Sequence, residues 1–183
     1  MITIFIKRKM MMKKQIRINT FETNSSSVHT LQISKDLMSM NELIIKKDGY
    51  VHINLDQYYG KDLVKYKTQE EKLKYICTWM YVYYGNDIKQ MYDGYEWKEF
   101  ETKFCDYVNN HLNSKQRIYH CNGIKIDKIK PKYDYGSAGD FLDHQSCPYG
   151  LWNTEGFIFN FYDTDMLVNF IFNPYLWLQT DCD

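Results

Sequence analysis

Eight consecutive residues, Glu22-Thr23-Asn24-Ser25-Ser26-Ser27-Val28-His29, gather a carboxylate, an amide, hydroxyls and an imidazole into one short stretch. Each polar group is a donor or acceptor that a loop can aim outward. His29 titrates near neutral pH and is therefore a candidate general acid or base. Glu22 could act as its partner base, orient the imidazole or ligate a metal. Asn24, Ser25, Ser26 and Ser27 could offer hydroxyl and backbone N–H groups to a phosphate, as turn nests do. The plainer alternative is a Ser-rich turn that satisfies its own backbone, with one histidine on a strand face.

A second constellation is Asp143-His144-Gln145-Ser146, in which a carboxylate neighbours another imidazole. If His29 and His144 met in space, one could remove the 2′-hydroxyl proton of RNA while the other protonated the leaving oxygen. A turn histidine capped by Asp143 is the competing account. Metal signals are thinner. His120-Cys121 and the His144 to Cys147 spacing give no pair of half-sites of the kind a structural zinc ion needs, so no metal site is assigned. Glu22, Asp143, Asp181 and Asp183 could hold a hard cation only by converging. The chain has no Gly-Lys-Ser/Thr phosphate loop, GxSxG elbow or HExxH helix, and its cofactor requirement stays open.

The elements around these residues follow from periodicity. Gln15 to Phe21 and Val28 to Ser34 alternate as strands, which makes Asn24–Ser27 the connection between them, packed centrally in a sheet. Asp36 to Met40 reads as a short helix. Residues 42–46 and 50–55 flank Asp48-Gly49, a hairpin signal, and Asn122-Gly123 within Arg117 to Ile129 gives another. Thr68 and Glu71 form a capping box, followed by a helical stripe of Leu73, Ile76, Cys77, Met80 and Tyr84. A second stripe of Trp97, Phe100, Phe104, Val108 and Leu112 predicts a helix from about 96 to 113. Further on, residues 141–146 and 156–162 read as strands, 163–172 as a helix capped by Asp163, and 175–180 as a last strand. The predicted class is α+β: a mixed, mainly antiparallel sheet with an inserted amphipathic helical pair. The 183 residues suit one domain. Within it, 1–13 reads as an extension, 14–65 as the motif-bearing strands, 66–114 as the helical insert, and 115–183 as strands with a C-terminal helix.

Net charge is zero, which excludes a uniformly basic nucleic-acid binder. The charges are segregated nonetheless. Lys7, Arg8, Lys9, Lys13, Lys14 and Arg17 crowd one end, and Lys115, Arg117, Lys125, Lys128, Lys130 and Lys132 form a second basic stretch. Lys125, Lys128 and Lys130 are its candidate phosphate contacts. Asp93, Glu96, Glu99, Glu101 and Asp106 make an acidic stretch that could meet a basic protein groove. The chain carries 17 Tyr, 10 Phe and 4 Trp, enough to leave aromatics at an interface as well as in a core. Five cysteines without a CxxC argue against a disulfide framework and for a reducing, cytoplasmic setting. No apolar run approaches the roughly 18 residues of a membrane span.

The segment Arg17-Ile-Asn-Thr-Phe-Glu-Thr-Asn-Ser-Ser-Ser-Val-His29 resembles the opening shared by many small proteins of Gram-positive phages and other mobile elements. Phe141-Leu-Asp-His-Gln-Ser146, Leu167-Val-Asn-Phe-Ile-Phe172 and Asp181-Cys-Asp183 look like that group too, whereas residues 45–130 match nothing in it. Some members of the group look like anti-CRISPR proteins of the type II-A class, which lower or shorten the guide RNA of the RNA-guided DNA nuclease. The resemblance implies such an inhibitor in the host bacterial cytoplasm. Its partners would be the type II-A nuclease and its guide RNA, with a ribonuclease-like step that either protein could perform. A non-catalytic plug in a nucleic-acid channel, or a phage enzyme acting on another phosphate-containing substrate, stays open beside it.

Overall fold

The computed structural model describes residues 27–34, 43–55, 64–112, 119–130 and 163–182. The expected strands at 15–21, 141–146 and 156–162, the short helix at 36–40 and the extension at 1–13 lie outside the described residues.

Among the described residues, two small sheets and four helices form an α+β arrangement. The first sheet contains β1 (Ser27–Ile33), β3 (Val64–Tyr66) and β5 (Leu176–Cys182), with β5 between the other two. Both of its pairings are antiparallel. β1 therefore takes an outer position among the described strands, and the last strand of the chain takes the centre. The second sheet pairs β2 (Tyr50–Leu55) with β4 (Gly123–Ile129) in parallel. The expected mix of mainly antiparallel pairing with some parallel pairing is found, and among the described residues the two kinds fall in separate sheets.

Both expected hairpins give way to this parallel pair. At Asp48-Gly49 the turn forms, with Gly49 at φ +84° and its N–H donating to Lys46 O at 2.9 Å. Only one bridge, Ile45 to Val51, continues it before β2 joins β4. Asn122-Gly123 is where β4 starts rather than a turn between strands. Its Gly123 (φ +156°) leaves room that a Cβ would fill, 2.6 Å from the Glu101 carboxylate.

Helix α1 (Gln69–Tyr83) opens on the expected capping box. The Thr68 N–H donates to Glu71 Oε2 at 2.9 Å, and the Glu71 N–H donates to Thr68 Oγ1 at 3.2 Å. Two orphan donors of the first turn are satisfied in this way. A short α2 (Ile88–Asp93) follows, capped by Asp87, and then α3 (Tyr95–His111). The expected amphipathic pair is α1 and α3, set between β3 and β4 with the short α2 joining them. The pair packs into the core: α1 packs on β2, β3 and α4 (Thr164–Phe172), while α3 packs on β4 and α4. Residues 75–81 of α1 are buried on every side rather than along one stripe, because sheet and helices enclose it. One continuous core results, in which Trp97, Phe100 and Phe104 of α3 are at most 1% exposed. Burial of each contributes roughly 1.5–3 kcal/mol. Among the described residues, no helix is long and apolar enough to cross a membrane.

Candidate nucleic-acid interface

The run Ile124-Lys-Ile-Asp-Lys-Ile-Lys130 has its apolar residues two and then three apart. A regular strand cannot keep all three isoleucines on one face, because side chains alternate. The structure resolves the conflict with a bulge. Ile53 pairs with Ile126 and Asn54 with Lys128, which leaves Asp127 as an extra residue in β4. Beyond the bulge the alternation changes phase. Ile124, Ile126 and Ile129 line up inward against Val51, Ile53 and Leu55, and Lys125, Asp127, Lys128 and Lys130 are exposed. Without the bulge, Lys128 and Lys130 would turn toward the core. The three lysines named from charge alone are therefore brought to one face.

The neighbouring strand completes this face. Tyr50, 36% exposed, stands two residues before His52, and His52 stands opposite Lys125. The His52 ring is held from both sides, with Nδ1 2.8 Å from the Asp127 carboxylate and Nε2 2.8 Å from Asp48 Oδ2. Both nitrogens can donate to carboxylates only in the imidazolium form. The hydrogen bond to His52 holds both aspartates below the ordinary carboxylate value, Lys125 adding to the pull on Asp48 and Lys46 to that on Asp127. Lys46 Nζ lies 3.6 Å from Asp127, and Lys125 Nζ 4.0 Å from Asp48. Exposed pairs of this length are weak because solvent screens them, so a phosphate can compete for these ammonium groups. Four lysines (46, 125, 128 and 130) against two aspartates leave the face positive.

Helix side chains fix β4 in place from the other direction. Glu101 Oε1 accepts from the Ile124 N–H at 2.8 Å, and Tyr92 Oη accepts from the Ile126 N–H at 3.0 Å. The Asn109 amide takes the Cys121 N–H and donates to the Cys121 carbonyl, both at 3.0 Å. Burial pushes the Glu101 carboxyl up, and the Ile124 N–H partly offsets this. These contacts also account for much of the acidic stretch. Glu101 is used on β4, Glu96 accepts from Tyr84 Oη, and Glu99 accepts from Thr164 Oγ1 at 3.2 Å and pairs with Lys103 at 3.5 Å. Three of the five carboxylates are thus engaged inside the fold, and the outward acidic face is narrower than the sequence suggests.

Of the other expected site residues, Ser27 and His29 lie on β1. His29 stands opposite Thr180 and Ser27 opposite Cys182, with Val28 opposite Asp181. The motif-bearing strand and the Asp181-Cys182 segment, from the two ends of the chain, are therefore ladder neighbours. Glu22, Asn24, Ser25, Ser26, Asp143 and His144 lie outside the described residues, so a meeting of His29 with His144 has no described geometry. Among the described residues, no group of three His, Cys, Asp or Glu side chains is placed to share a metal ion. Asp48 and Asp127 bind opposite edges of one imidazole and cannot do so. Sequence reasoning missed His52, Asp48, Asp127, Lys46 and Tyr50. The alternation Tyr50-Val-His-Ile-Asn-Leu55 already put Tyr50 and His52 on the polar face, but the partners of His52 could not be read from it.

A cleft of about 350 Å³ between α3 and α4 is lined by Lys103, Asp106, Tyr107, His111 and Asp165 among others. Lys103 is bound there by Asp165 at 2.8 Å as well as by Glu99, so the lysine of this cleft is already engaged by carboxylates. Comparison of the chain with protein-family models, with curated proteins and with solved structures finds no match.

Proposed function

We propose that the protein binds the sugar–phosphate backbone of RNA through the outer face of β2 and β4. We further propose that its target is the guide-RNA-bound complex of a type II-A RNA-guided DNA nuclease, which it inhibits in the bacterial host cytoplasm as a phage or mobile-element anti-CRISPR protein. The observation that carries the RNA reading is the bulge at Asp127, which turns Lys128 and Lys130 to the exposed side that Lys125 already occupies beside Tyr50. Lysines on a sheet face neutralise phosphates, and an exposed tyrosine offers a stacking surface for a base. The partner rests on the resemblance of the Phe21–His29 motif. Guide shortening is the outcome that this resemblance implies, with Glu22, His29, Asp143 and His144 as its candidate catalytic groups. The plug reading draws less support, since most of the acidic stretch is engaged internally.

Two assays on the full chain test this. Binding to nuclease loaded with guide RNA is titrated against salt, and guide length is followed on a denaturing gel. The Lys125→Gln/Lys128→Gln/Lys130→Gln variant should weaken binding and lower the salt slope by about two, at roughly 0.7 per single-strand phosphate contact. His29→Ala should stop shortening while binding persists, because one acid or base contributes about 10²–10⁴ in rate. Wild-type affinity and slope in the triple variant would refute the face. Loss of binding together with cleavage in folded His29→Ala would move the motif into the interface.

A further inference from the structure

Cys105 of α3 and Cys121, two residues ahead of β4, bring their Sγ atoms to 3.3 Å. A disulfide has its sulfurs at about 2.05 Å, so closing one here needs an approach of about 1.2 Å. The surroundings already fix the two segments against each other. Asn109, one helical turn beyond Cys105, grips both the N–H and the carbonyl of Cys121. Cys105 is half-buried, whereas Cys121 is 1% exposed. One thiol can therefore meet a small oxidant, and the other waits behind it.

We propose that Cys105 and Cys121 form a redox site that closes to an intramolecular disulfide under hydroperoxide, stapling α3 to the base of β4. The Cys105 sulfur attacks a peroxide oxygen. An S–O bond forms, the O–O bond breaks, and hydroxide leaves to take up the thiol proton as water. The Cys121 sulfur then attacks the resulting sulfenic acid, forming the S–S bond and expelling a second hydroxide, which leaves as water with the Cys121 proton. Two thiols and one hydrogen peroxide give one disulfide and two waters, each sulfur losing one electron. Hydrogen bonding to Cys121 and burial push the Cys105 thiol well up. Since the thiolate is the reactive form, closure is slow and answers sustained oxidation rather than a brief pulse. The inference is independent of RNA binding.

The test treats the purified full chain with hydrogen peroxide, blocks remaining thiols by alkylation, and maps peptides by mass spectrometry. The expected result is a Cys105–Cys121 linked peptide and a loss of two hydrogens, about 2 Da, reversed by dithiothreitol. The oxidised chain should melt roughly 5–10 °C above the reduced one, as suits a short closed loop. Cys105→Ser should abolish both the link and the rise. Linkage through another cysteine, sulfinic acid at Cys105 without a link, or full alkylation of both thiols after prolonged peroxide would each overturn the proposal. The wild-type peptide map decides this even if the serine variant folds poorly.

Discussion

Replacing Lys72 with methionine should make the benefit of the native residue depend on pH in a calculable way. Lys72 lies on α1 and is 1% exposed. Its Nζ donates to the carbonyls of Phe170 at 3.0 Å and Asn173 at 2.8 Å, at the C-terminal end of α4. The reason is local: the carbonyl of residue 170 would accept from the N–H of residue 174, and Pro174 has none. Burial pushes the Lys72 amine down from 10.5 to about 8. The folded state then holds fewer protons than the unfolded state between these values, so stability from this group rises with pH across that window. Below the window the charged form costs about 3 kcal/mol, at roughly 1.4 kcal/mol per pH unit of displacement. Integration recovers about 2–3 kcal/mol of this between neutral pH and about pH 10. Lys72→Met removes the titration while keeping much of the volume, and the other titrating groups cancel between the two proteins. Urea unfolding followed by circular dichroism should therefore show wild type gaining about 2–3 kcal/mol on the variant over that range. A difference that stays constant within about 0.5 kcal/mol, or that shrinks as pH rises, would refute the account of Lys72 as a buried helix-end donor.

On the lysine face, Asp48→Asn with Asp127→Asn removes two negative charges. RNA affinity at low salt should rise about threefold to tenfold in an anisotropy titration, and unchanged affinity would separate this face from RNA. Because both aspartates are held low by His52, their clamp stabilises the fold at neutral pH and is lost as pH falls through their depressed folded-state values. Thermal scans toward acid should therefore cost wild type more than the double variant, and parallel losses would count against the clamp. In the core, Trp97 is 1% exposed, with the Tyr92 ring at 5.3 Å and the Phe100 ring at 6.1 Å. Trp97→Ala should cost about 3–5 kcal/mol in denaturant unfolding, and a loss below about 1 kcal/mol would mean that the site is not part of the core.

Much of the local structure was legible in the residues themselves. Thr68 and Glu71 start α1 because a capping box satisfies donors within a few residues, and Asp163 starts α4 by accepting from the Met166 N–H at 3.0 Å. The strand at Val28–Ser34 and the last strand could be read from alternation, and β1 and β5 form there. The Ile124, Ile126 and Ile129 spacing also carried the bulge, although charge alone drew attention to the lysines. Each of these signals acts over a few residues, within reach of one side chain or one turn of backbone.

What tertiary structure decided was the choice of partners. Asp48-Gly49 specifies a turn, but nothing near it says that β2 will bond to β4 rather than back to residues 42–46. That choice follows from matching Val51, Ile53 and Leu55 with Ile124, Ile126 and Ile129 across a gap of about 70 residues, over a core closed by α1 and α3. His52 reads as one more strand histidine until the pairing of β2 with β4 brings Asp127 to its ring. Lys72 shares a helical stripe with Ile76 and Met80, and only the missing N–H of Pro174, a hundred residues away, explains a lysine there. Capping, alternation and turn formation are short-range and written in sequence order. Pairing, clamping and burial of charge depend on which surfaces meet when the whole chain excludes water, so they belong to the folded molecule alone.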